Sequence, residues 1–260
     1  MKELVEVKQH GKVVEVALNR PETYNVFNLE MVTSLARHLT RLAVDGEVKG
    51  IVLVGRGKAF CAGGDLKWIT QFPDGPGAAV HTLAAQFHLA IIEIRRMEKP
   101  VIAAINGVAA GGGFSLALAC DFRIMEKSAH LKQAYTSNGL CIDGGGTFTL
   151  PRIVGLARAL EIATFDEPIS SELALQWGLA TKVVEDGEAL KQSLSLLEKL
   201  AKEAPQSFAW SKKLLTDSFN TPLELHLEQE RRGISSCANH PDGQEGLKAF
   251  IEKRKPIFKI

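Results

Sequence analysis

Val101-Ile102-Ala103-Ala104-Ile105 is an unbroken apolar run that stops at Asn106-Gly107 and leads into Val108-Ala109-Ala110-Gly111-Gly112-Gly113, after which residues 114–120 turn apolar again. A continuous apolar strand suits a sheet covered on both faces. The glycine-rich turn after it opens a short apolar helix. The same unit occurs earlier in the chain. Ile51-Val52-Leu53-Val54 runs into Gly55-Arg56-Gly57-Lys58 and then Phe60-Cys61-Ala62-Gly63-Gly64-Asp65-Leu66. Strands alternating with helices in this way predict an α/β core with β-α-β crossovers.

Outward from these units, residues 5–8 and 13–18 read as two strands turned at His10-Gly11-Lys12, and residues 30–43 as an amphipathic helix. A helix is expected over 78–97, after a loop containing Gly75-Pro76-Gly77, and a strand over 122–125. Beyond about residue 147 the pattern becomes helical, over 155–164, 170–177, 188–203, 205–219, 222–239 and 242–252, with 182–184 as one last strand. The chain therefore divides into an α/β core, 1–195, and a C-terminal helical region, 196–260, of the kind that packs on a neighbouring subunit.

The formal net charge of +1 gives no global field toward nucleic acid or an acidic membrane, so any anionic ligand must be held locally. No secretory leader and no 18-residue uncharged apolar run is read, and a cytoplasmic location is expected. Cys61, Cys120, Cys141 and Cys237 form no C-x-x-C pair and no metal-spaced cluster, so each is expected to act as a small hydrophobe in a reducing compartment. His81 and His88 lie seven apart on one expected helix without a third ligand, which favours surface or core roles over a metal site. No metal is expected.

The two glycine loops are the strongest functional signal. Loops that follow adjacent parallel strands share the sheet edge where ligands bind. Small residues admit a ligand close to the backbone, and helix N-termini leave N–H groups unpaired. Two such loops side by side can aim two N–H donors at one oxygen, as an oxyanion hole does. Taken singly, each loop is equally explained by tight turns and close helix–strand packing. Neither fits G-x-x-x-x-G-K-[ST], nor G-x-G-x-x-G with its later acidic residue, so nucleotide hydrolysis and hydride transfer are unsupported.

Together with these loops, Asn19-Arg20-Pro21-Glu22 and Asn25, Lys99-Pro100, Cys120-Asp121, Gly145-Gly146-Thr147, Leu150-Pro151-Arg152, Trp177-Gly178-Leu179 and Glu245-Gly246 with Phe250 and Lys253-Arg254 follow in order along nearly the whole chain. In these segments the chain resembles the crotonase, or enoyl-CoA hydratase/isomerase, superfamily. The resemblance implies a spiral of β-β-α units and a C-terminal helical region that builds a homotrimer, often paired into a hexamer. It implies an acyl-CoA thioester substrate and no separate cofactor, coenzyme A being part of the substrate. It assigns the oxyanion donors to the N–H groups of Gly64 and Gly112, and coenzyme A contacts to Ala62, Asp65, Leu66 and Lys67. Phe250 and Lys253 match positions that a neighbouring subunit contributes.

The reaction is read from the acids. Hydratases of the superfamily hold one water between two glutamates, and those positions here are Ser115 and Tyr135. Neither can deprotonate water at neutral pH as a carboxylate pair does. Both are expected beside the substrate, Ser115 also suiting a packing role and Tyr135 either a core position or the acyl pocket wall. One carboxylate remains, Asp143, at the position of the single acid of Δ3,Δ2-enoyl-CoA isomerases and of the ring-opening isomerases of phenylacetate breakdown. It could instead cap the helix starting near Gly146. As the acid/base it is expected to be buried beside Leu140 and Ile142, which would disfavour its charged form and help it act in both directions. An enoyl-CoA isomerase is therefore expected. A hydratase with an atypical site, or a hydrolase, dehalogenase or decarboxylase on the same scaffold, is the alternative. Arg56 and Lys58 suit either coenzyme A phosphates or a solvated surface, and Trp68, Phe72, Phe87 and Phe114 either the acyl channel or the core.

Overall fold

The computed structural model describes residues 3–258. β1 (Val5–His10) and β2 (Val13–Leu18) form an antiparallel hairpin, followed by α1 (Leu29–Val44) and β3 (Gly50–Gly55). Then come β4 (Ala59–Cys61), α2 (Leu66–Thr70), α3 (Gly75–Arg96), β5 (Val101–Ile105), β6 (Val108–Ala110) and α4 (Gly112–Ala119). The chain continues through β7 (Phe122–Glu126), β8 (His130–Lys132), α5 (Gly146–Phe165), β9 (Ile169–Ser170), α6 (Ser171–Gln176) and β10 (Lys182–Val184). Four helices end it: α7 (Ala189–Leu200), α8 (Pro205–Asp217), α9 (Leu223–Asn239) and α10 (Pro241–Ile251).

The strands form two sheets, in the orders β1-β2-β3-β5-β7-β10 and β4-β6-β8-β9. Each turn of the chain lays a longer strand in the first sheet, a short strand in the second, and then a helix. This is the expected spiral of β-β-α units. The longer strands pair in parallel from β2 to β10, and β3 and β5 are apolar throughout because both faces are covered. Val14, Val16, Ile51, Leu53, Val101 and Ala103 pack into the core shared with α1 and α3, whereas Val13, Ala17, Val52, Val54, Ile102 and Ala104 pack with Leu197 of α7. Burying a side chain such as Leu197 contributes about 1.5–3 kcal/mol relative to leaving it in water. α7 spans residue 195 and is part of this layering, while α8, α9 and α10 lie beyond it.

Two sequence expectations of the fold are corrected. Residues 59–61, 108–110 and 130–132, left outside the strands in the sequence reading, are strands of the second sheet. At three residues each they are too short to show a periodicity. The loop at Gly75-Pro76-Gly77 is the first turn of α3, where proline is favoured because its missing N–H has no helical partner there. The helix expected over 155–164 is the second half of α5, which starts at Gly146 and breaks at Gly155, whose φ of +77° is open to glycine. α3 is the one helix among the described residues long and apolar enough to cross a membrane. Its buried residues, Ala79, Leu83, Phe87, Ala90, Ile91 and Ile94, make it a core helix of this fold.

One buried cation ties the helical region to the core. Lys212 of α8 donates to the carbonyls of Ile94 (2.8 Å) and Lys99 (3.1 Å) and to Asp121 Oδ2 (2.8 Å), which also accepts from Val101 N (2.8 Å). Burial lowers the Lys212 ammonium pKa and raises that of the Asp121 carboxyl, each opposed by the partner's charge.

Candidate active site

The second sheet positions the site. β4 and β6 are parallel neighbours, with Ala59 opposite Val108 and Cys61 opposite Ala109. Their C-terminal ends therefore release Ala62-Gly63-Gly64 and Gly111-Gly112 at the same edge. The loops meet closely: a Cβ on Gly113 would lie 2.1 Å from the Cys61 carbonyl oxygen, so only glycine lets α4 approach β4 there. Gly63 takes φ +102°, another glycine-only conformation.

The first loop is anchored from the Asn19-Arg20-Pro21-Glu22 segment. Buried Asn25 donates through Nδ2 to the carbonyls of Arg56, Ala59 and Phe60 and accepts from Arg20 N. Arg20 pairs with Asp65 Oδ2 at 3.0 Å, and Asp65 Oδ1 accepts from Trp68 N at 3.1 Å, capping α2. Phe27 N donates to Gly63 O and Asp65 N to Phe27 O, both at 2.7 Å. In that ladder the N–H of Gly64 points away from Phe27. Gly112 is the first residue of α4, where an N–H has no helical acceptor. Among the described residues neither the Gly64 nor the Gly112 N–H has a protein acceptor.

These residues line one cavity of about 140 Å³ with Ala62, Gly63, Leu66, Gly111, Tyr135 and Asp143. Its apolar wall includes Phe27, Ile69, Val80, Leu83, Phe87 and Leu140, with the Phe27 and Phe87 rings 5.0 Å apart. Of the aromatics named from the sequence, Phe87 thus faces the cavity, Phe114 is core, and Trp68 packs on Phe72 with centroids 5.1 Å apart.

Asp143 stands at the cavity on the loop before α5. Its carboxylate does not cap that helix: the N-cap is Gly145, with no side-chain hydrogen bond. The backbone of Asp143 is held instead, its carbonyl accepting from Ser115 Oγ at 2.6 Å and from Gly146 N at 3.1 Å. The expected burial of the carboxylate does not occur. The Asp143 side chain is 37% exposed and Leu140 43% exposed, because residues adjacent along a loop do not surround one another. Its side-chain partner is His88 of α3, with Nε2 2.5 Å from Oδ1. The two residues lie 55 apart in the chain, and no sequence pattern links them.

Ser115 is fully buried behind the cavity and serves the loop backbone. Tyr135 lines the cavity and contacts Ser115 and the Asp143 backbone, and burial pushes its phenol above the ordinary tyrosine range. Asp65 and exposed Lys67 do not line the cavity, nor do Phe250, which is 84% exposed, and Lys253. Arg56 is committed elsewhere, to Glu6 at 2.8 Å and Glu15 at 2.6 Å, while Lys58 is exposed. Burial raises the Cys61 and Cys120 thiols to about 12. Cys141 is exposed, against the expectation that every cysteine packs as a hydrophobe. Among the described residues no group of three His, Cys, Asp or Glu could hold a metal ion.

A family model described as enoyl-CoA hydratase/isomerase matches residues 8–260. The chain is 35% identical over 247 residues to the 1,2-epoxyphenylacetyl-CoA isomerase of Escherichia coli strain K12, covering 95% of this chain and 94% of that one. It is 31% identical over 250 residues to the short-chain-enoyl-CoA hydratase of Clostridium acetobutylicum, covering 96% and 95%. A crystal structure of an enoyl-CoA hydratase from Polaromonas sp. JS666 superposes with a TM-score of 0.92 at 33% identity, covering 98% of this chain and 99% of that chain. Proteins named for different reactions are thus similar to it to about the same degree.

Proposed function

Because the chain belongs to the enoyl-CoA hydratase/isomerase family, whose enzymes act on coenzyme A thioesters, we propose that it is an enoyl-CoA isomerase with Asp143 as its single acid/base. The thioester oxygen accepts from the N–H groups of Gly64 and Gly112. Each such donor is worth about 3 kcal/mol to a developing oxyanion. With the enolate stabilised, the Asp143 carboxylate takes a proton from C2 of a 3-enoyl thioester. It returns that proton at C4, and the double bond moves into conjugation.

The observation that carries this reading is one cavity holding two acceptor-free amides and one carboxylate. Hydration needs a second base, and Tyr135 is a poor one: burial keeps its phenol protonated at neutral pH. In this reading coenzyme A runs along Ala62, Asp65, Leu66 and Lys67. Phe250 and Lys253 reach it from a neighbouring copy in a homotrimer or hexamer. The exposed Leu215, Phe219, Leu223, Ile234 and Phe250 of the C-terminal region support such packing. The unpaired cysteines agree with a reducing, cytoplasmic setting.

The test is to follow a 3-enoyl-CoA by absorbance as the conjugated thioester forms. Conversion without water addition supports the reading, and formation of a 3-hydroxyacyl product instead defeats it. A second reading has one observation in its favour, the imidazole of His88 beside Asp143. A carboxylate can attack an activated ring carbon, and a neighbouring base can then drive hydrolysis of the ester formed. Release of halide or free acid from an aryl-CoA substrate would identify that chemistry.

A further inference from the structure

Two features of Asp143 conflict with its being a well-aimed acid/base. Its loop is flanked by left-handed glycines, Gly139 at φ +70°, Gly144 at +61° and Gly145 at +74°, which have no side chains of their own to hold the carboxylate. Its carboxylate is also more than a third exposed, so packing alone does not confine its rotation. The carbonyl bonds from Ser115 Oγ and Gly146 N fix the backbone and do nothing for the carboxylate. A catalytic group must be held to a fraction of an ångström by neighbours that are themselves rigid.

We propose that His88 is the positioning residue for Asp143. It is carried by α3, a 22-residue helix whose Phe87 and Ile91 are anchored in the core. Nε2 is 2.5 Å from Oδ1 of Asp143. With Oδ1 held there, Oδ2, which has no hydrogen-bond partner among the described residues, is the oxygen left for the acyl carbons. The loop is thereby pinned at two points, its backbone to α4 through Ser115 and its carboxylate to α3 through His88. His88 does not line the cavity and acts only through Asp143. The inference rests on the isomerase reading for what Asp143 does, and on geometry alone for how Asp143 is held.

The test uses the full-length enzyme with His88→Ala, His88→Gln and the double variant His88→Ala/Asp143→Asn. Displacement of about 1 Å can cost about 100-fold in rate. His88→Ala should therefore lower kcat by about 10- to 100-fold with KM nearly unchanged. His88→Gln, whose amide N–H reaches a similar point, should recover most of that loss. The double variant should be no slower than Asp143→Asn alone. Wild-type kcat in His88→Ala, an equal loss in the Asp143→Asn background, or no recovery by Gln would each overturn the proposal. A spectroscopic arm is independent of turnover. The ring 15N and 1H signals of His88 should show a hydrogen-bonded Nε2–H that is lost in Asp143→Asn. A free Nε2 in the wild type would overturn the positioning role. Absence of isomerisation with that bond intact would instead indict the proposed reaction.

Discussion

The hydroxyl of Ser115 donates a 2.6 Å hydrogen bond to the backbone carbonyl of Asp143, across 28 residues of sequence. The sequence resemblance places Ser115 at one of the two positions where hydratases carry a glutamate. Here its side chain braces the loop that carries Asp143. Replacing Ser115 with Ala removes that brace and leaves a carbonyl less satisfied. We expect a stability loss of about 1–2 kcal/mol in urea unfolding, together with a fall in kcat. Unchanged kcat with lowered stability would make the serine a packing residue only.

The Arg20–Asp65 pair fixes the loop that carries Gly64. Asp65→Ala removes both the cap of α2 and the partner of Arg20. It should cost about 1 kcal/mol in stability and lower kcat/KM, although Asp65 lies outside the cavity. Calorimetry and steady-state kinetics on the same preparation separate the two effects.

Lys212→Met should be among the most destabilising single changes. It strands the buried Asp121 carboxylate, and breaking a buried pair from one side costs about 3–5 kcal/mol. Chemical unfolding of this variant beside Lys213→Met, whose native ammonium is an exposed neighbour, provides the comparison.

Acid sensitivity should centre on Glu15. Burial raises the pKa of this carboxyl, but hydrogen bonds and charge from His10 and Arg56 outweigh burial and leave it below the ordinary glutamate value. A carboxyl with a lowered folded-state pKa contributes stability above its unfolded value of about 4.5. That stability is lost as pH falls through the folded value. Wild-type stability should therefore drop steadily below about pH 4.5, and Glu15→Gln should flatten that slope while lowering stability near neutrality. Parallel slopes for the two proteins would remove Glu15 from the account.

Much of this architecture was legible in the residues. Val13–Leu18 and Val101–Ile105 are bounded apolar runs, and their extents were read to the residue. The helix read from 170 is α6, with Ser170 as its N-cap accepting from Leu173 N. The glycine loops were recognised by composition and order. The second sheet was not, because β4, β6 and β8 are held by register with neighbours distant in sequence. Asp143 was singled out through the family resemblance of its loop, but its exposure depends on what packs over that loop. His88 carried no signal of this role: its partner is 55 residues away, and its spacing from His81 without a third ligand favoured a surface or core position.

The central claim is that one carboxylate moves the proton while two amides hold the oxygen. Turnover of a 3-enoyl-CoA by Asp143→Asn, with affinity for a saturated acyl-CoA measured on the same protein, tests it most directly. The account predicts binding close to wild type and a rate lower by about 100- to 10,000-fold. A variant that still isomerises at a comparable rate would contradict it.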